Sequence, residues 1–311
     1  MPSTVFVTGG AGFIGLHVLP MLLDRGHKVR VFDNMFRGAR EDLAPFLATG
    51  DVELIDQDVR YGGAVHAAMQ GCQDVIHLAA VSINKSQADP HESIDVNMVG
   101  SNNVFAAAAA HGVRRVVYAS SASVYGDPES LPMLEDDRLR PLTPYCISKL
   151  AGEHLADFYR RRSSFSWIGL RFFNVYGPGQ KPTAYYTSVI NHFVKRLRAG
   201  EAPVIDGNGE QSMDFIHVHD IARSVIMSLD APDERANIAI NIGTGIDTSV
   251  ADLARILIAA VGMDVEPQFN PREVLVARRA ADITRARQVL GWAPTIDVET
   301  GMKELVDSEI V

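Results

Sequence analysis

The chain has 311 residues, 47% of them hydrophobic, enough for one large domain or two smaller ones sharing an interface. A formal net charge of −9, a pI near 5.6 and the lack of any long Lys or Arg run exclude nucleic acid as the expected partner. Two cysteines, Cys72 and Cys146, argue against a disulfide framework, no apolar run reaches membrane-span length, and no signal-peptide pattern precedes the first strand, so a soluble cytoplasmic protein is expected.

Thr4–Thr8 reads as a short buried strand. It runs into Gly9-Gly10-Ala11-Gly12-Phe13-Ile14-Gly15 and then a helical apolar pattern through Val18, Leu19, Leu22 and Leu23, which Gly26 closes. Lys28–Phe32 is the next strand and ends in Asp33. Strand, glycine turn, helix, strand and acid in this order make a complete dinucleotide-binding unit. The glycines let backbone approach a pyrophosphate, and the helix N-terminus offers it free N–H groups. Asp33 stands where a carboxylate accepts from a ribose 2′-hydroxyl and repels a 2′-phosphate. NAD is therefore expected over NADP, although Arg37 and Arg40 lie just beyond.

Val52–Ile55 is a third strand; Asp58 and Val59 after it fit either an adenine pocket or an ordinary loop. A fourth strand, from Asp74, runs through His77 and Leu78 into Ala79 and Ala80, small enough to leave room for a cofactor. His77 on a buried strand is read as a satisfied core histidine without a role. Residues 95–111 are helical, with Gly112 as the stop, and Asn97 inside that helix reads as solvated or capping. Val116–Tyr118 begins a fifth strand that ends in small hydroxyl residues, Ser121 among them. Pro144 opens the next helix, on which Tyr145 and Lys149 are four apart and share a face. A nearby ammonium favours the phenolate and lowers a tyrosine pKa from about 10, and Ser121 can share a substrate hydroxyl with it. Tyr-x-x-x-Lys is weak evidence alone. It gains weight because Gly9, Asp33, Asp58, Ala79 and Ser121 all fall at the carboxyl ends of strands, where a parallel sheet binds its ligands.

After a sixth strand, Trp167–Phe173, the regular alternation breaks. Residues 174–179 are turn-rich, Ser188–Arg198 is an amphipathic helix, and a short strand and turn follow at 203–209. Residues 214–220 lead a helix through Leu229, Ala236–Ile242 is a further strand and Ser249–Val261 a further helix. The expected fold is α/β: a doubly wound parallel (Rossmann) sheet with a smaller, discontinuous α/β lid. The expected boundaries are 1–173 with 214–242 returning to the sheet, and 174–213 with 243–311 as the lid.

Thr-Gly-Gly-Ala-Gly-Phe-Ile-Gly (8–15), Asp33-Asn34, Asp58, His-Leu-Ala-Ala (77–80), Asn97, Ser-Ala-Ser-Val-Tyr-Gly (121–126), Tyr145 with Lys149, Arg-Phe-Phe-Asn-Val-Tyr-Gly-Pro (171–178) and Leu-Gly-Trp-x-Pro (290–294) together carry a resemblance. The chain resembles extended short-chain dehydrogenases/reductases of the NAD-dependent epimerase/dehydratase family, and within them the UDP-galactose (UDP-glucose) 4-epimerases. The resemblance covers nearly the whole length. It implies NAD contacts at Gly9, Gly12, Phe13, Ile14, Asp33, Asn34, Asp58, Val59, Leu78, Ala79, Ala80, Asn97, Tyr145 and Lys149. It implies catalysis by Ser121, Tyr145 and Lys149, with no metal. For a UDP-linked sugar it implies contacts at Ser121, Ser123, Asn174, Val189, Arg272 and Arg279. It further implies a homodimer built on helices 95–111 and 145–162.

The implied reaction is removal of the 4-hydroxyl proton and C4 hydride, turning of the 4-keto sugar, and return of hydride to its other face. Val189, Ile190 and Phe193 either pack a uracil or are ordinary helix core. Related decarboxylases and dehydratases carry an acidic residue beside the strand-end hydroxyl. Here Ala122, Ser123 and Val124 follow Ser121, which favours epimerisation over the alternatives, a nucleotide-sugar decarboxylase or a 4-keto-sugar reductase. The alternative of another class is a non-catalytic NAD-binding regulator. One departure stands out: Met213 occupies the position where relatives usually carry an Arg that grips the diphosphate, and a thioether cannot make those bonds. Of Arg278 and Arg279, adjacent on an extended segment, only one can face the pocket; the resemblance, counted without gaps from Arg272 to Asp282, implies Arg279 at the position that closes the sugar pocket, either to reach the diphosphate or to pair with a sugar carboxylate.

Overall fold

The computed structural model describes residues 3–180, 188–272 and 277–308. Alternating β-strands and helices make up its first half: β1 (Thr4–Thr8), α1 (Phe13–Asp24), β2 (Lys28–Asp33), α2 (Arg40–Leu47), β3 (Val52–Asp56), α3 (Gly62–Met69), β4 (Asp74–His77), α4 (Ile83–Ala88) and α5 (Pro90–Ser93). A π-helical turn at Ile94–Val99 leads into α6 (Gly100–His111), β5 (Arg115–Ser121), a 3₁₀ turn at Ala122–Tyr125, α7 (Pro144–Arg160) and β6 (Ser166–Phe172). The remainder is β7 (Asn174–Tyr176), α8 (Ser188–Arg198), β8 (Val204–Asp206), β9 (Ser212–Met213), β10 (Phe215–His217), α9 (Val218–Asp230), β11 (Ile238–Ile242), β12 (Thr248–Ser249), α10 (Val250–Val261), β13 (Gln268–Asn270), α11 (Thr284–Leu290) and α12 (Val298–Asp307).

Seven strands form one parallel sheet in the order β11-β6-β5-β4-β1-β2-β3. The strands are apolar on both faces because helices cover both. Val5, Val7, Ile76, Val117 and Ile168 point into one cluster with residues of α1 and α9, while Phe6, Val75, Val116, Tyr118 and Trp167 point into the other with α3 and α6. β1 and β4 are neighbours at the point where the strand order reverses, which opens a crevice at their carboxyl ends.

A third cluster, of Tyr176, Ile190, Phe193, Leu197, Phe215, Leu253, Leu257 and Met302, is the core of the lid. Ile190 and Phe193 are therefore ordinary helix core, and Val189 packs half-buried at its edge. Residues 174–176, expected to be a turn, pair with β10, because Asn174 and Phe215 stand in register. Ala281, Ile283, Ala286, Leu290 and Trp292, from a stretch expected in the lid, lie in the main sheet's cluster instead. Trp292 anchors that return: its Nε1 donates to Asp220 O at 3.0 Å, and the buried Asp220 carboxylate accepts from the amides of Thr295 and Ile296.

Candidate active site

The crevice is shaped first by glycines. Gly9 has φ +69°, and a Cβ there would lie 2.7 Å from Ala79 N; one on Gly15 would lie 2.5 Å from Gly10 O. A side chain at Gly9 would push the turn off the residues after β4, and one at Gly15 would push α1 off the turn. Gly12 caps α1 without a side chain, so the first-turn amides of Phe13 and Ile14 have no side-chain cap and face an anion-binding space. Beyond the end of β4, Leu78, Ala79 and Ala80 lie outside the strand, half-buried along the opposite wall. The cradle, the uncapped helix and the small residues fit a dinucleotide.

Asp33 binds its own surroundings as well. Its carboxylate accepts from Ala11 N at 3.0 Å and from Met35 N at 2.9 Å, tying the glycine turn to the end of β2. Burial pushes this carboxyl up, opposed by those two amides and by Arg37. Asn34 donates to Asp58 at 2.8 Å. Asp58 also receives Arg60 through Nε at 2.9 Å and Nη2 at 2.8 Å. Burial would raise its pKa, but Arg60 and Asn34 hold it below the usual carboxylate range. Val59 is buried and supports α6 at Gly100, whose Cβ would lie 2.6 Å from Val59 Cγ2.

His77 is satisfied, as its strand position implied. Ser101 Oγ donates to Asn97 O at 2.6 Å, so at 2.9 Å it accepts from His77 Nε2–H. His77 Nδ1 then accepts from Thr8 Oγ1 at 2.6 Å, and Thr8 Oγ1 accepts from Ala79 N at 3.2 Å. Burial lowers the His77 pKa to about 3, so the ring is neutral. Asn97 is neither solvated nor a cap, a correction to the reading of its pattern. It is 1% exposed within the π-helical turn, accepts from Val81 N at 2.8 Å and donates to Ser148 Oγ at 3.2 Å. It thus fixes the wall after β4 against the helix that bears Tyr145.

That helix, α7, starts cleanly: Thr143 accepts from Cys146 N at 3.3 Å, and Pro144 takes the first position. Tyr145 is half-buried and Lys149 buried on the same face. Lys149 Nζ donates to Ala119 O at 2.7 Å and lies 5.7 Å from the Tyr145 ring centroid. Burial, and after it the charge of Arg37, pushes the Lys149 pKa down to about 7. Ser121 ends β5 two residues beyond the Ala119 carbonyl that Lys149 holds, and its Oγ accepts from Ser123 N at 3.2 Å, which leaves its proton to donate. Ser123 Oγ is buried with no hydrogen-bond partner among the described residues.

Sequence reading missed what holds this group in place. Ser120 Oγ donates to Glu153 at 2.5 Å, and Arg171 grips both Glu153 oxygens at 2.9 and 2.8 Å. Arg171 also donates to Tyr125 Oη at 2.8 Å, which donates to Asn241 Oδ1 at 2.6 Å. The one available signal was Glu153, which follows Lys149 by a further four residues along the same helical face.

On the substrate side, Asn174 uses both its backbone N and Nδ2 on Asp214 O, at 3.1 and 3.0 Å. Asp214 itself is buried and receives Thr244 N, Thr244 Oγ1, Gly245 N and Ala281 N. Met213 pairs with Thr248 in β9–β12 and packs on the lid cluster. Arg272 forms an exposed ion pair with Asp206 at 3.0 Å, and Arg278 pairs with Asp247 at 2.6 Å. Arg279 is half-buried and has no ion pair among the described residues.

This architecture and this cluster define a dinucleotide-dependent enzyme of the short-chain type. The chain belongs to the NAD dependent epimerase/dehydratase family, whose profile matches residues 5–243. It is 34% identical over 306 residues to a putative UDP-glucose 4-epimerase of Methanocaldococcus jannaschii, covering 97% of each chain. The structure matches a UDP-N-acetylglucosamine 4-epimerase from Methanobrevibacter ruminantium, solved with UDP-N-acetylmuramic acid, at a TM-score of 0.89 and 30% identity, covering 98% of this chain and 97% of that one. It also matches a mutant UDP-glucuronic acid 4-epimerase from Bacillus cereus, solved with UDP-4-deoxy-4-fluoro-glucuronic acid and NAD, at a TM-score of 0.87 and 26% identity, covering 98% of each.

Two outcomes follow from the Tyr145–Lys149 geometry. Tyr145→Phe is expected to keep the fold and lower turnover by on the order of a hundredfold or more; near-normal turnover would move proton transfer to Ser121. Lys149 supplies the pH test. Its pKa is about 7 folded against an ordinary 10.5, so between those values the unfolded chain binds more protons and stability rises with pH. The stability of neutral Lys149 is full above about 10.5 and lost as pH falls through about 7. Urea unfolding of cofactor-free Lys149→Met should therefore show a variant more stable than the parent at pH 7, with the gap closing by pH 10. A gap independent of pH would mean that Lys149 is solvated.

Proposed function

We infer that the protein is an NAD-dependent nucleotide-sugar 4-epimerase, an isomerase acting on a UDP-linked hexose or uronate through a transient 4-keto sugar. The observation that carries this reading is the Ser121–Tyr145–Lys149 group at the mouth of a dinucleotide crevice, with the uncharged Ser123 in place of a neighbouring carboxylate. Ser121 donates to or accepts from the sugar 4-hydroxyl, and Tyr145 takes its proton. Lys149, held at Ala119 O, supplies positive charge beneath the phenol and orients the nicotinamide ribose. NAD, held by the glycine turn at Gly9–Gly12 and by Asp33, would supply a reversible hydride acceptor for the sugar C4. Tyr145 gives its proton back to the 4-oxygen after the sugar has turned. Ala122, Ser123 and Val124, which follow Ser121, supply no carboxylate for proton work beyond this exchange, which disfavours the decarboxylase reading.

The substrate side of this reading rests on Ser123, Asn174, Val189 and Arg279. Arg272 contributes to the diphosphate only by leaving Asp206. Arg279 offers the guanidinium that Met213 does not. The reading includes a cytoplasmic location, in keeping with the free Cys72 and Cys146. Among the described residues, no helix is long and apolar enough to cross a membrane. It also includes a homodimer. The turn before α6 and the outer face of α7 leave Ile94, Val99, Ile147 and Phe158 between 44% and 48% exposed, an apolar face suited to a second copy.

Kinetics of Arg279→Ala on UDP-glucose, UDP-galactose and UDP-glucuronate test the substrate reading. A loss shared by all three means diphosphate binding, and a loss confined to the uronate means carboxylate recognition. Losses below about threefold on all three, under 1 kcal/mol, place Arg279 outside the site. For the dimer, light scattering should give twice the chain mass for the parent and a monomer for Ile147→Asp with Phe158→Glu; a monomeric parent ends that part of the reading.

A further inference from the structure

The loop after β2 does more than end the ribose-binding strand. It rests on the glycine turn at two points: Asp33 accepts from Ala11 N, and Gly38 lies so close that a Cβ there would sit 2.5 Å from Ala11 Cβ. Between these points Arg37 leaves the loop and its Nη2 donates to Ala80 O at 2.9 Å. Ala80 lies beyond β4, and β4 and β2 flank β1 on opposite sides. The side chain therefore crosses above the carboxyl end of β1, over the uncapped N-terminus of α1, where a dinucleotide diphosphate belongs. Its charge is felt at both ends of the crevice, by Asp33 and by Lys149.

Taking the cofactor assignment above as given, we propose that Arg37 is a strap over the dinucleotide crevice: its guanidinium exchanges the Ala80 carbonyl for the cofactor diphosphate and sets how slowly the cofactor leaves. An exposed hydrogen bond to a neutral carbonyl is weak, whereas a guanidinium on a phosphate makes charge-assisted, two-pronged bonds, so the exchange runs toward the bound cofactor. The direction of the side chain separates this role from reading a 2′-phosphate. Such a reader would stand over the ribose at Asp33, and Arg37 instead reaches across to the β4 side. A cofactor regenerated in every turnover has no need to leave, and a strap suits that cycle.

The test is calorimetric binding to cofactor-stripped protein, with adenosine, ADP-ribose, NAD and NADP as probes, for the parent, Arg37→Ala and Arg37→Lys. Arg37 is exposed, and thermal unfolding of the stripped variants checks that the fold is intact. Arg37→Ala is expected to weaken ADP-ribose and NAD about tenfold or more, in step with a faster loss of NAD on dialysis, and to leave adenosine unchanged. Arg37→Lys should fall between, as a point charge without the fork. Equal losses for adenosine and ADP-ribose would assign Arg37 to loop shape and overturn the strap, as would no loss for either. A change confined to NADP would make it a 2′-phosphate reader and overturn it equally. If the parent binds none of the four probes, the cofactor assignment itself fails, and the strap with it.

Discussion

The buried pair of Glu153 and Arg171 is the contact on which the rest of the site depends. Arg171 projects from β6 and holds both oxygens of a carboxylate on α7, and Ser120 on β5 binds the same carboxylate. Three elements thereby share one rigid joint directly behind Ser121, Tyr145 and Lys149. Two charges, each below 10% exposed, are costly to bury and are tolerated only when every donor finds an acceptor. Here every Arg171 nitrogen has at least one: Nε and Nη2 on Glu153, and Nη1 on Tyr125 Oη and Glu135 O. Opening the pair from one side would strand a charge, at a cost of about 3–5 kcal/mol. The joint therefore fixes geometry more than it adds net stability.

Around this joint the crevice keeps its polar groups committed before any ligand arrives. His77, Thr8, Ser101 and Asn97 form a chain in which each donor has one acceptor, and that chain fixes the residues after β4. Asp33 and Asp58 are spent partly on the loops that shape the crevice. Lys149 is the exception in energy. Burial disfavours its charge while its proposed role requires that charge, so folding bears a cost that catalysis uses.

The lid is joined to the sheet by a different device. Asp214, buried, gathers amides from the loop after β11 and from residue 281, and its carbonyl holds Asn174. The chain thus crosses between lid and sheet at one carboxylate hub, next to Met213. A lid attached this way presents Arg279 from an extended segment whose neighbours Arg278 and Ala281 are tied down.

The strands of the sheet, the glycine turn, Asp33, and the pairing of Tyr145 with Lys149 are legible in the order of residues alone. Each of these is local: strand periodicity, a turn needing positive φ at Gly9, and a spacing of four along one helix all act within a few residues. The return of residues 281–292 to the main core, the burial of Asn97, and the Ser120–Glu153–Arg171–Tyr125–Asn241 network were decided only by the tertiary structure. Their partners lie from 16 to 116 residues apart in the chain. A polar residue in a helix or strand looks the same in sequence whether it faces water or a buried partner, and only packing brings that partner within reach.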